Sequence, residues 1–552
     1  MAASDVGGAG QESVGHGTVD IPVYTRRATG LVRQISGLDM VLYNGAATSP
    51  LGLVLVFGLF ALILFPHSNI YVAMLIALGM GTFVWTTFAL MSAAIPRIGG
   101  DYTYSSRIVH PVLGIFSSLC VLVSSSVWAG VFCYFVSAAA LSPIFTVIGA
   151  TTGSSTMTDW GNYFSGTHQN VCFVVGLIAL AGMALLSALG TKKVIRTMTI
   201  MYLIAAAGFV VDLLILLFTS HHSFENTVNS VAGANAYHDT VAAGAKQDLY
   251  PDHGYDTKAT IGAVYYALSV SIFAYWGTFL ASEFKGAGQR RRQLRTMLGA
   301  GLGQGLLALL AMIIFLRTVG YNFFVSSLNG NYTGKGSGAI GQIGYNYFAS
   351  LVANNTVVVA LLALAFFGWW LPSSYCNSSV VQRYFMSWSF DGLLPRKLSE
   401  VDERAHTPVV AIIVTFLLSA GGLAWVSYSS NFFQIFATMT MLAYFSIVSV
   451  GIAAIVMKWR RPDLYEGSPA QWRIAGVEVL PIAGALCLAV GSIAVFLVLY
   501  FHEAIGIKYF HYAELTPIAL FVLAVIWWQV AKLAQRSRGV DLSLSYKVIP
   551  PD

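Results

Sequence analysis

The sequence predicts an all-α polytopic membrane protein with 12 transmembrane helices, and three observations support this class. Of the 552 residues, 56% are hydrophobic and only 10% are charged, with a mean hydropathy of +0.69. The apolar residues fall into long runs, and the basic residues fall almost entirely on alternate segments between them. A soluble chain carries about 25% charged residues. The composition therefore excludes a soluble enzyme, a nucleic-acid-binding protein and a disordered chain.

Each predicted helix is an apolar run of the length that crosses a bilayer, about 20 residues. The runs lie near residues 39–65, 70–95, 111–141, 171–189, 198–218, 260–284, 297–321, 356–388, 408–427, 432–457, 477–501 and 516–534. Because the number is even, both chain ends are expected on the same side. Residues 1–24 and 536–552 are expected to be loose tails, and the longest outer loop is 219–258.

The basic residues predict which side is cytoplasmic, since Lys and Arg are enriched in cytoplasmic loops. With a cytoplasmic N-terminus, 25 of the 30 Lys and Arg residues fall in cytoplasmic segments. Four lie in outer loops, namely Lys246, Lys258, Lys335 and Lys508, and Arg317 lies near the outer end of the seventh run. A missed helix would scramble this alternation, so it supports both the span count and the orientation.

Cysteine and histidine give no sign of a disulfide framework or a metal site. The five cysteines lie inside apolar runs without CxxC spacing: Cys120, Cys133, Cys172, Cys376 and Cys487. The histidines of the 219–258 loop are scattered without the spacing of metal ligands. We expect buried, reduced thiols, no metal and no cofactor.

Two of the twelve runs carry helix breakers in their interiors. The first run contains Asn44, Thr48 and Ser49 followed by Pro50 and Gly52, and the sixth contains Phe273, Ala274, Tyr275, Trp276 and Gly277. Proline removes a backbone donor and clashes with the preceding turn. Alone, the interruption of the first run is as typical of a simple kink as of a binding site, and Gly277 is more typical of a close-packing glycine. As a pair, in corresponding runs of the two halves, they point to the binding site of a transporter.

Several short stretches resemble the amino acid–polyamine–organocation (APC) superfamily of permeases over about residues 33–465. They are residues 96–107 (PRIGGDYTYSSR), 189–193 (LGTKK), 282–285 (SEFK), Arg383 with 391–395 (DGLLP) and 406–409 (HTPV), and 461–463 (RPD). The stretch from 391 to 408 is specific to this family by itself. The others are specific as a group.

The resemblance implies a 5+5 inverted repeat, the leucine-transporter-like fold, with two helices appended. It implies a cytoplasmic tail at 1–37, repeats at 38–218 and 259–457 separated by the extracellular loop 219–258, the last two helices within 458–535, and a cytoplasmic tail at 536–552. It also implies that substrate binds to the broken first and sixth helices. The substrate-binding residues expected from their position are Asn44, Thr48, Ser49, Gly52, Phe273, Ala274, Tyr275, Trp276 and Gly277.

The chain departs from the family pattern at three places. Residues 50–52 (PLG) replace the glycine-rich sequence of the first helix, so the carboxylate-binding loop is expected to differ. Ala205 or Ala206 occupies the place where some proton-coupled members carry a lysine. Phe279 occupies the place of the acid found in some carriers of basic substrates. Together with the aromatic residues of the sixth helix, this favours neutral or apolar side chains on the substrate.

Ionisable residues predict a coupling site and an inner gate. Asp212 lies in the middle of the fifth run, where a carboxylate costs at least about 2.5–3.5 kcal/mol unless it is paired or protonated. It is either a proton- or cation-coupling group or a hydrogen-bonded carboxyl that reaches water. The residues assigned to the inner gate and its loop are Asp39, Arg97, Asp101, Arg107, Glu283, Arg383 and Asp391.

These features predict a secondary active transporter of amino acids in the plasma membrane, working by alternating access with proton coupling or exchange. Its expected partners are the amino acid, the bilayer and a coupling proton or cation. A polyamine or organic-amine carrier, and a non-transporting receptor or accessory subunit on the same fold, are the alternatives. A membrane enzyme would need a constellation such as HExxH or GxSxG, and the sequence contains neither.

Overall fold

The chain is almost entirely helical in the computed structural model. The structure describes residues 31, 33–48, 58–251, 254–333, 345–353, 355–402, 405–505, 507 and 510–549. Within them, the only sheet is a two-stranded antiparallel hairpin formed by β1 (Arg473–Ile474) and β2 (Val477–Glu478).

The first half of the chain contains eleven α-helices among the described residues. They are α1 (Gly37–Thr48), α2 (Gly58–Leu64), α3 (Ile70–Ala94), α4 (Asp101–Ile108), α5 (Pro111–Phe135), α6 (Ser142–Thr152), α7 (Ser155–Tyr163), α8 (Gln169–Ala188), α9 (Thr191–Phe218), α10 (His221–Ala232) and α11 (Ala236–Ala245). A π-helical segment, Val136–Leu141, joins α5 to α6.

The second half opens with α12 (Thr257–Ser271), which continues into a 3₁₀ helix over Ile272–Glu283. The helices that follow are α13 (Arg290–Val319), α14 (Tyr321–Thr333), α15 (Tyr345–Ala353), α16 (Thr356–Phe390), α17 (Val409–Tyr428), α18 (Phe432–Arg460), α19 (Pro462–Tyr465), α20 (Val479–Tyr500), α21 (Phe510–Arg536) and α22 (Leu542–Ser545). A short 3₁₀ turn, Arg396–Leu398, follows α16.

Ten helices of the described chain are long and apolar enough to cross a membrane. They are Ile70–Ala94, Pro111–Thr152, Gln169–Ala188, Thr191–Phe218, Thr257–Glu283, Arg290–Val319, Val409–Tyr428, Phe432–Arg460, Val479–Tyr500 and Ala513–Arg536. Each overlaps one predicted run. The two other runs coincide with the 35-residue helix α16 and with α1 and α2, between which residues 49–57 lie outside the described chain. A polytopic all-α membrane protein is therefore confirmed, while twelve spans and the inverted repeat stay predictions.

Side chains at the helix ends explain where several elements begin. Asn69 accepts a hydrogen bond from the Val72 N–H at the start of α3, and Asp256 accepts two from the first turn of α12. These caps satisfy backbone donors that have no partner within the helix. Asp39 forms a capping box with Ser36 at the start of α1, since its carboxylate accepts from both the backbone N–H and the hydroxyl of Ser36.

Glycines let the long helices pack closely. A Cβ on Gly451 of α18 would lie 2.7 Å from the backbone nitrogen of Leu488 in α20, and one on Gly484 would lie 2.8 Å from the Cβ of Ala454. Membrane helices associate through small residues of this kind, because lipid supplies no hydrophobic drive between them. Most buried hydrophobic residues of the described chain form one large cluster that includes residues of α1 and the 3₁₀ segment, and Ile98, Met386 and Phe390 form a second, small one.

The end of the chain differs from the loose tail that the sequence predicts. Residues 542–545 form α22, where Leu542 is fully buried, and Tyr546 beyond it is 5% exposed. The Tyr546 ring packs edge-on against Trp528 of α21 with a centroid distance of 5.1 Å. Tyr546 also contacts Tyr102 and Arg107 of α4, which no local sequence pattern signals.

Candidate functional site

The sixth run changes geometry at the place where the sequence predicts an interruption. The α-helix ends at Ser271, and the chain continues as a 3₁₀ helix through Glu283 with a local departure at Leu280 (φ −100°, ψ 15°). A 3₁₀ helix bonds each backbone N–H to the carbonyl three residues before it rather than four, so the backbone partners change at Ser271. Inside a bilayer each of these groups must still find a partner within the protein. The indole Nε1 of Trp85 in α3 donates to the Ile272 carbonyl at 2.8 Å.

Asn44 joins the first helix to this 3₁₀ segment. Its Oδ1 accepts from the Gly277 backbone N–H at 2.7 Å, and its Nδ2 donates to the Thr296 carbonyl of α13 at 3.4 Å. The side chain is fully buried. Asn44 thus links α1, the 3₁₀ segment and α13. Both the oxygen and the nitrogen of its side-chain amide are hydrogen-bonded.

Glycine is the only residue type that fits at position 277 without displacing Met40 or Asn44. A Cβ there would collide with the Met40 sulfur and would lie 2.8 Å from Asn44 Oδ1. The glycine is therefore required by close approach of α1 to the 3₁₀ segment, rather than by a positive φ. This is the kind of contact that a pair of interrupted helices needs in order to share a site.

The aromatic residues predicted on the sixth helix lie together and are buried. Tyr275 stacks on Phe88 of α3 with a centroid distance of 4.0 Å, and Phe273 contacts the Trp276 ring edge-on at 5.3 Å. Ala274, between them, is fully buried. The segment therefore presents an apolar, aromatic surface.

The remaining predicted site residues divide between the described and the undescribed chain. The Thr48 hydroxyl donates back to the carbonyls of Asn44 and Gly45 at 3.4 and 3.3 Å, so it closes the last turn of α1. Ser49 and Gly52 lie outside the described residues.

Sequence reasoning missed a set of buried polar groups on neighbouring helices. Within the described part of the chain, their side-chain polar atoms have no hydrogen-bond partner: Ser125, Ser126 and Trp128 on α5, Tyr266 on α12, Thr278 and Ser282 on the 3₁₀ segment, and Tyr444 on α18. Buried polar atoms are rarely left unsatisfied. The triplet 124–126 (SSS) inside an apolar run is the one sequence signal that could have drawn attention to them.

Ring contacts connect several of these groups into one continuous aromatic surface, called the aromatic wall below. The Phe436 ring of α18 lies 5.1 Å from Trp128 and stacks on Tyr266 at 5.5 Å. Tyr266 in turn contacts Tyr265, which lies 6.3 Å from Tyr444. The wall combines apolar faces with indole and phenol donors, which suits recognition of an apolar molecule with a few polar atoms.

The first gate cluster consists of Tyr102, Arg107, Asp391 and Tyr546. Arg107 Nη2 donates to both Asp391 oxygens at 2.6 Å, and the Tyr102 hydroxyl donates to Oδ2 at 2.6 Å. The two charged side chains are at most 1% exposed. Charge-assisted bonds of this length are among the stronger ones in proteins. The cluster ties α4 to the end of α16.

Tyr546 completes the first gate cluster from the far end of the chain. Its hydroxyl lies 2.9 Å from that of Tyr102, and its ring centre lies 4.8 Å from the Arg107 guanidinium carbon. This is a cation–π arrangement.

The second gate cluster is the pair Glu283 and Arg383. Arg383 donates to Glu283 Oε1 from Nε at 3.0 Å and from Nη2 at 2.6 Å, and both side chains are at most 2% exposed. Next to this pair, Gln34 and Ile35 donate their backbone N–H groups to the Glu283 carbonyl, and Lys285 donates to Ile35. The cluster therefore holds the segment before α1, the end of the 3₁₀ helix and α16 together.

Two other residues assigned to the gate have local surroundings. Asp39 is the capping residue of α1, bonded to Ser36 rather than placed in either gate cluster. Arg97 is half-buried in the turn before α4, where its backbone N–H donates to the Ile95 carbonyl at 2.8 Å.

Asp101 is a fully buried carboxylate at the first residue of α4. Its Oδ1 accepts from the Tyr384 hydroxyl of α16 at 2.5 Å, while its Oδ2 has no hydrogen-bond partner among the described residues. Burial raises the pKa of Asp101 to about 6, against the opposing effect of the Tyr384 bond. Its proton affinity thus lies close to physiological pH.

Asp212 is buried on α9, 3% exposed, and its Oδ1 has no hydrogen-bond partner. The structure gives it no contact with the gate clusters or with the Asn44–Gly277 bond. Burial agrees with a protonated carboxyl and with a coupling role, whereas the low exposure of Asp212 disagrees with a carboxyl that reaches water.

One comparison with known proteins bears on this arrangement. A protein-family model described as amino acid permease matches residues 46–527. The match covers the 3₁₀ segment and both gate clusters except Tyr546, and it begins two residues after Asn44. No curated protein matches the chain significantly.

Proposed function

The chain belongs to the amino acid permease family, and from this membership we propose that it is a secondary active transporter of neutral, apolar amino acids. It works by alternating access in the plasma membrane, with proton coupling or exchange. The proposal includes twelve spans, a 5+5 inverted repeat and cytoplasmic chain ends.

The observation that supports the site most directly is the bond between Asn44 and Gly277. It brings the end of α1 against the 3₁₀ segment at the depth where backbone groups change partners. Irregular backbone at such depth lines a cavity or is covered by protein. We place the amino and carboxylate groups of the substrate at these two segments, next to the residues predicted from the sequence.

The surroundings of this site favour an uncharged substrate side chain. Phe273, Tyr275 and Trp276 are aromatic and buried, and the wall around Phe436 is aromatic too. A cationic side chain would need a carboxylate partner at this depth, since an unpaired charge there is costly. Phe279, fully buried, aligns with the position where some members that carry cationic substrates have such an acid.

The two gate clusters supply the moving part of the proposal. The first cluster connects α4 to the end of α16. The second connects the end of the 3₁₀ segment to α16. Alternating access requires contacts of this kind to separate and re-form while the bound substrate stays in place. In the described structure both clusters are closed, so opening toward the cytoplasm requires that they separate.

Purified protein in liposomes tests the proposal. Uptake of labelled leucine, phenylalanine, lysine and a linear diamine is measured, together with equilibrium binding of each. We expect saturable uptake of the apolar amino acids. Trp276→Ala is expected to raise KM, whereas the control Trp459→Ala, at a residue 67% exposed, is expected to leave it unchanged. Binding without flux would instead indicate a receptor, preference for the diamine would overturn the substrate class, and failure to bind any amino acid would overturn the proposal.

A further inference from the structure

Among the residues that the structure describes, Asp101 has no cationic partner within hydrogen-bond distance, although it is fully buried. The arginine of its own helix, Arg107, is committed to Asp391, and the arginine of α16, Arg383, is committed to Glu283. A buried carboxylate without a cation is strongly disfavoured when charged. Its one well-formed bond comes from the neutral Tyr384 hydroxyl.

The groups that face Asp101 are neutral on every neighbouring element. They are Tyr104 on α4, Ser117 and Cys120 on α5, Tyr275 on the 3₁₀ segment, Tyr384 on α16 and Ser446 on α18. Free phenols and thiols ionise well above neutral pH. The Asp101 carboxyl is therefore the one group of this set that changes charge between about pH 5 and 7.

The position of Asp101 links it to both moving parts of the site. It begins the eight-residue helix α4, which also carries Tyr102 and Arg107 of the first gate cluster. Through Tyr384 it contacts α16 one residue after Arg383 of the second cluster. Separation of α4 from α16 would break the Tyr384 bond and expose the carboxyl to water.

We propose that Asp101 is the proton-binding residue that couples transport to the proton gradient. It takes up its proton from the outer side while α4 and α16 are in contact, and it releases the proton to the cytoplasm when they separate. This rests on the transport function proposed above and selects its proton-coupled form. With the gate closed, the protonated carboxyl is the stable form, because it is buried without a cation. With the gate open to the cytoplasm, hydration favours loss of the proton.

Asp212 is the competing carboxylate, and the structure favours Asp101 over it. Both lie buried with an oxygen that has no hydrogen-bond partner. Only Asp101 is bonded across to α16, and only Asp101 shares its helix with a gate cluster. A coupling proton must bias the equilibrium between two conformations, so it must bind where those conformations differ.

Liposomes that contain wild type, Asp101→Asn, Asp212→Asn or the exposed control Asp239→Asn separate these roles. Two quantities are compared for labelled leucine: exchange at equal pH on both sides, and accumulation with the outside about one pH unit more acidic. Such a gradient supports about tenfold accumulation for each coupled proton. We expect accumulation by wild type, Asp212→Asn and Asp239→Asn, and accumulation near onefold for Asp101→Asn.

Three outcomes would overturn the role of Asp101. They are full accumulation by Asp101→Asn, loss of accumulation in Asp212→Asn alone, and exchange without gradient-driven accumulation in wild type. The last would leave the proposed transport function intact, whereas absence of wild-type exchange and uptake would overturn transport itself.

Tyr384→Phe provides a second test in case Asp101→Asn does not fold. It removes the hydrogen bond that favours the charged carboxylate. We expect the pH midpoint of leucine uptake to shift upward, and an unchanged midpoint in a folded variant would contradict the proposal.

Discussion

Substitution of Gly277 by alanine tests whether α1 and the 3₁₀ segment must touch. The added methyl group would collide with the Met40 sulfur and lie 2.8 Å from Asn44 Oδ1. Met40 can rotate away, because its side chain is flexible. Asn44 cannot do so freely, since it accepts from the Gly277 N–H at 2.7 Å and donates to Thr296.

The magnitude follows from these two contacts. Overpacking a well-packed site costs about 1–3 kcal/mol. If Asn44 moves instead, the Gly277 N–H loses its bond, and leaving a buried donor unsatisfied costs about 1–3 kcal/mol as well. Either route lowers stability by a similar amount, and both displace the segment where we place the substrate. Alanine recovers at most about 0.5–1 kcal/mol through helix propensity.

The assay compares Gly277→Ala with Gly303→Ala, a matched control on α13. A Cβ at Gly303 meets nothing within 4 Å, so this variant is expected to melt at or slightly above the wild-type temperature. Melting in detergent is followed by tryptophan fluorescence, and leucine uptake is measured in liposomes. We expect Gly277→Ala to melt lower and to lose most of its uptake.

A double variant separates the two contacts. Met40→Ala combined with Gly277→Ala removes the collision with the sulfur but leaves the contact with Asn44. If Asn44 holds the two segments in register, uptake stays low in the double variant. Wild-type melting and uptake in Gly277→Ala alone would refute the reasoning, because the close approach would then have no consequence.

Three further predictions concern the gate and its neighbourhood, and each is measured by thermal melting. Glu283→Ala leaves Arg383 buried without its partner and is expected to lower the free energy of unfolding by about 3–5 kcal/mol. A melting temperature equal to that of wild type would contradict a buried ion pair shielded from water. Tyr546→Phe is expected to cost about 0.5–1.5 kcal/mol for the lost hydroxyl bond. Tyr546→Ala is expected to cost about 3–5 kcal/mol more, because it also removes the buried ring that packs against Trp528 and lies over Arg107; equal melting of the two variants would contradict a packed ring. Because burial raises the pKa of Asp101 to about 6 from 3.8, the folded state binds its proton more tightly, so stability is expected to fall as pH rises from about 4 to about 6 and then to level off. Asp101→Asn should remove this part of the pH dependence.

The helices were predictable because each is encoded locally. An apolar run of sufficient length forms a membrane helix whatever its neighbours do, and ten predicted runs coincide with helices of that kind. The interruption around Gly277 was also visible, since a glycine flanked by aromatic residues stands out in such a run. Its 3₁₀ geometry was not, because it depends on partners such as Trp85 in another helix.

The roles of individual polar residues were less predictable, because they depend on contacts distant in sequence. Asn44 was expected to bind substrate, but its amide is engaged by Gly277 and Thr296, 233 and 252 residues away. Asp39 was assigned to the gate, yet its partner is Ser36, three residues away. A capping box of this kind has a local signature, whereas the contact of Tyr546 with Tyr102 across 444 residues has none.

The proposed role of the two clusters as a gate requires them to be tightly bonded when closed and still able to open. Removing one partner of a buried ion pair leaves a bare charge in a dry site, which is why the mutational cost is high. Opening the gate is a different process, because both partners pass into water together and each regains its hydration. Replacing a whole buried pair is often nearly neutral for stability, since the attraction and the desolvation penalty almost cancel. These two ion pairs, Arg107 with Asp391 and Arg383 with Glu283, therefore fix how the helices align in the closed state. They contribute less to the free-energy difference between the closed and open states. On this reasoning the bias between closed and open states comes from groups whose burial is not compensated, and Asp101, buried beside both clusters without a cation, is such a group.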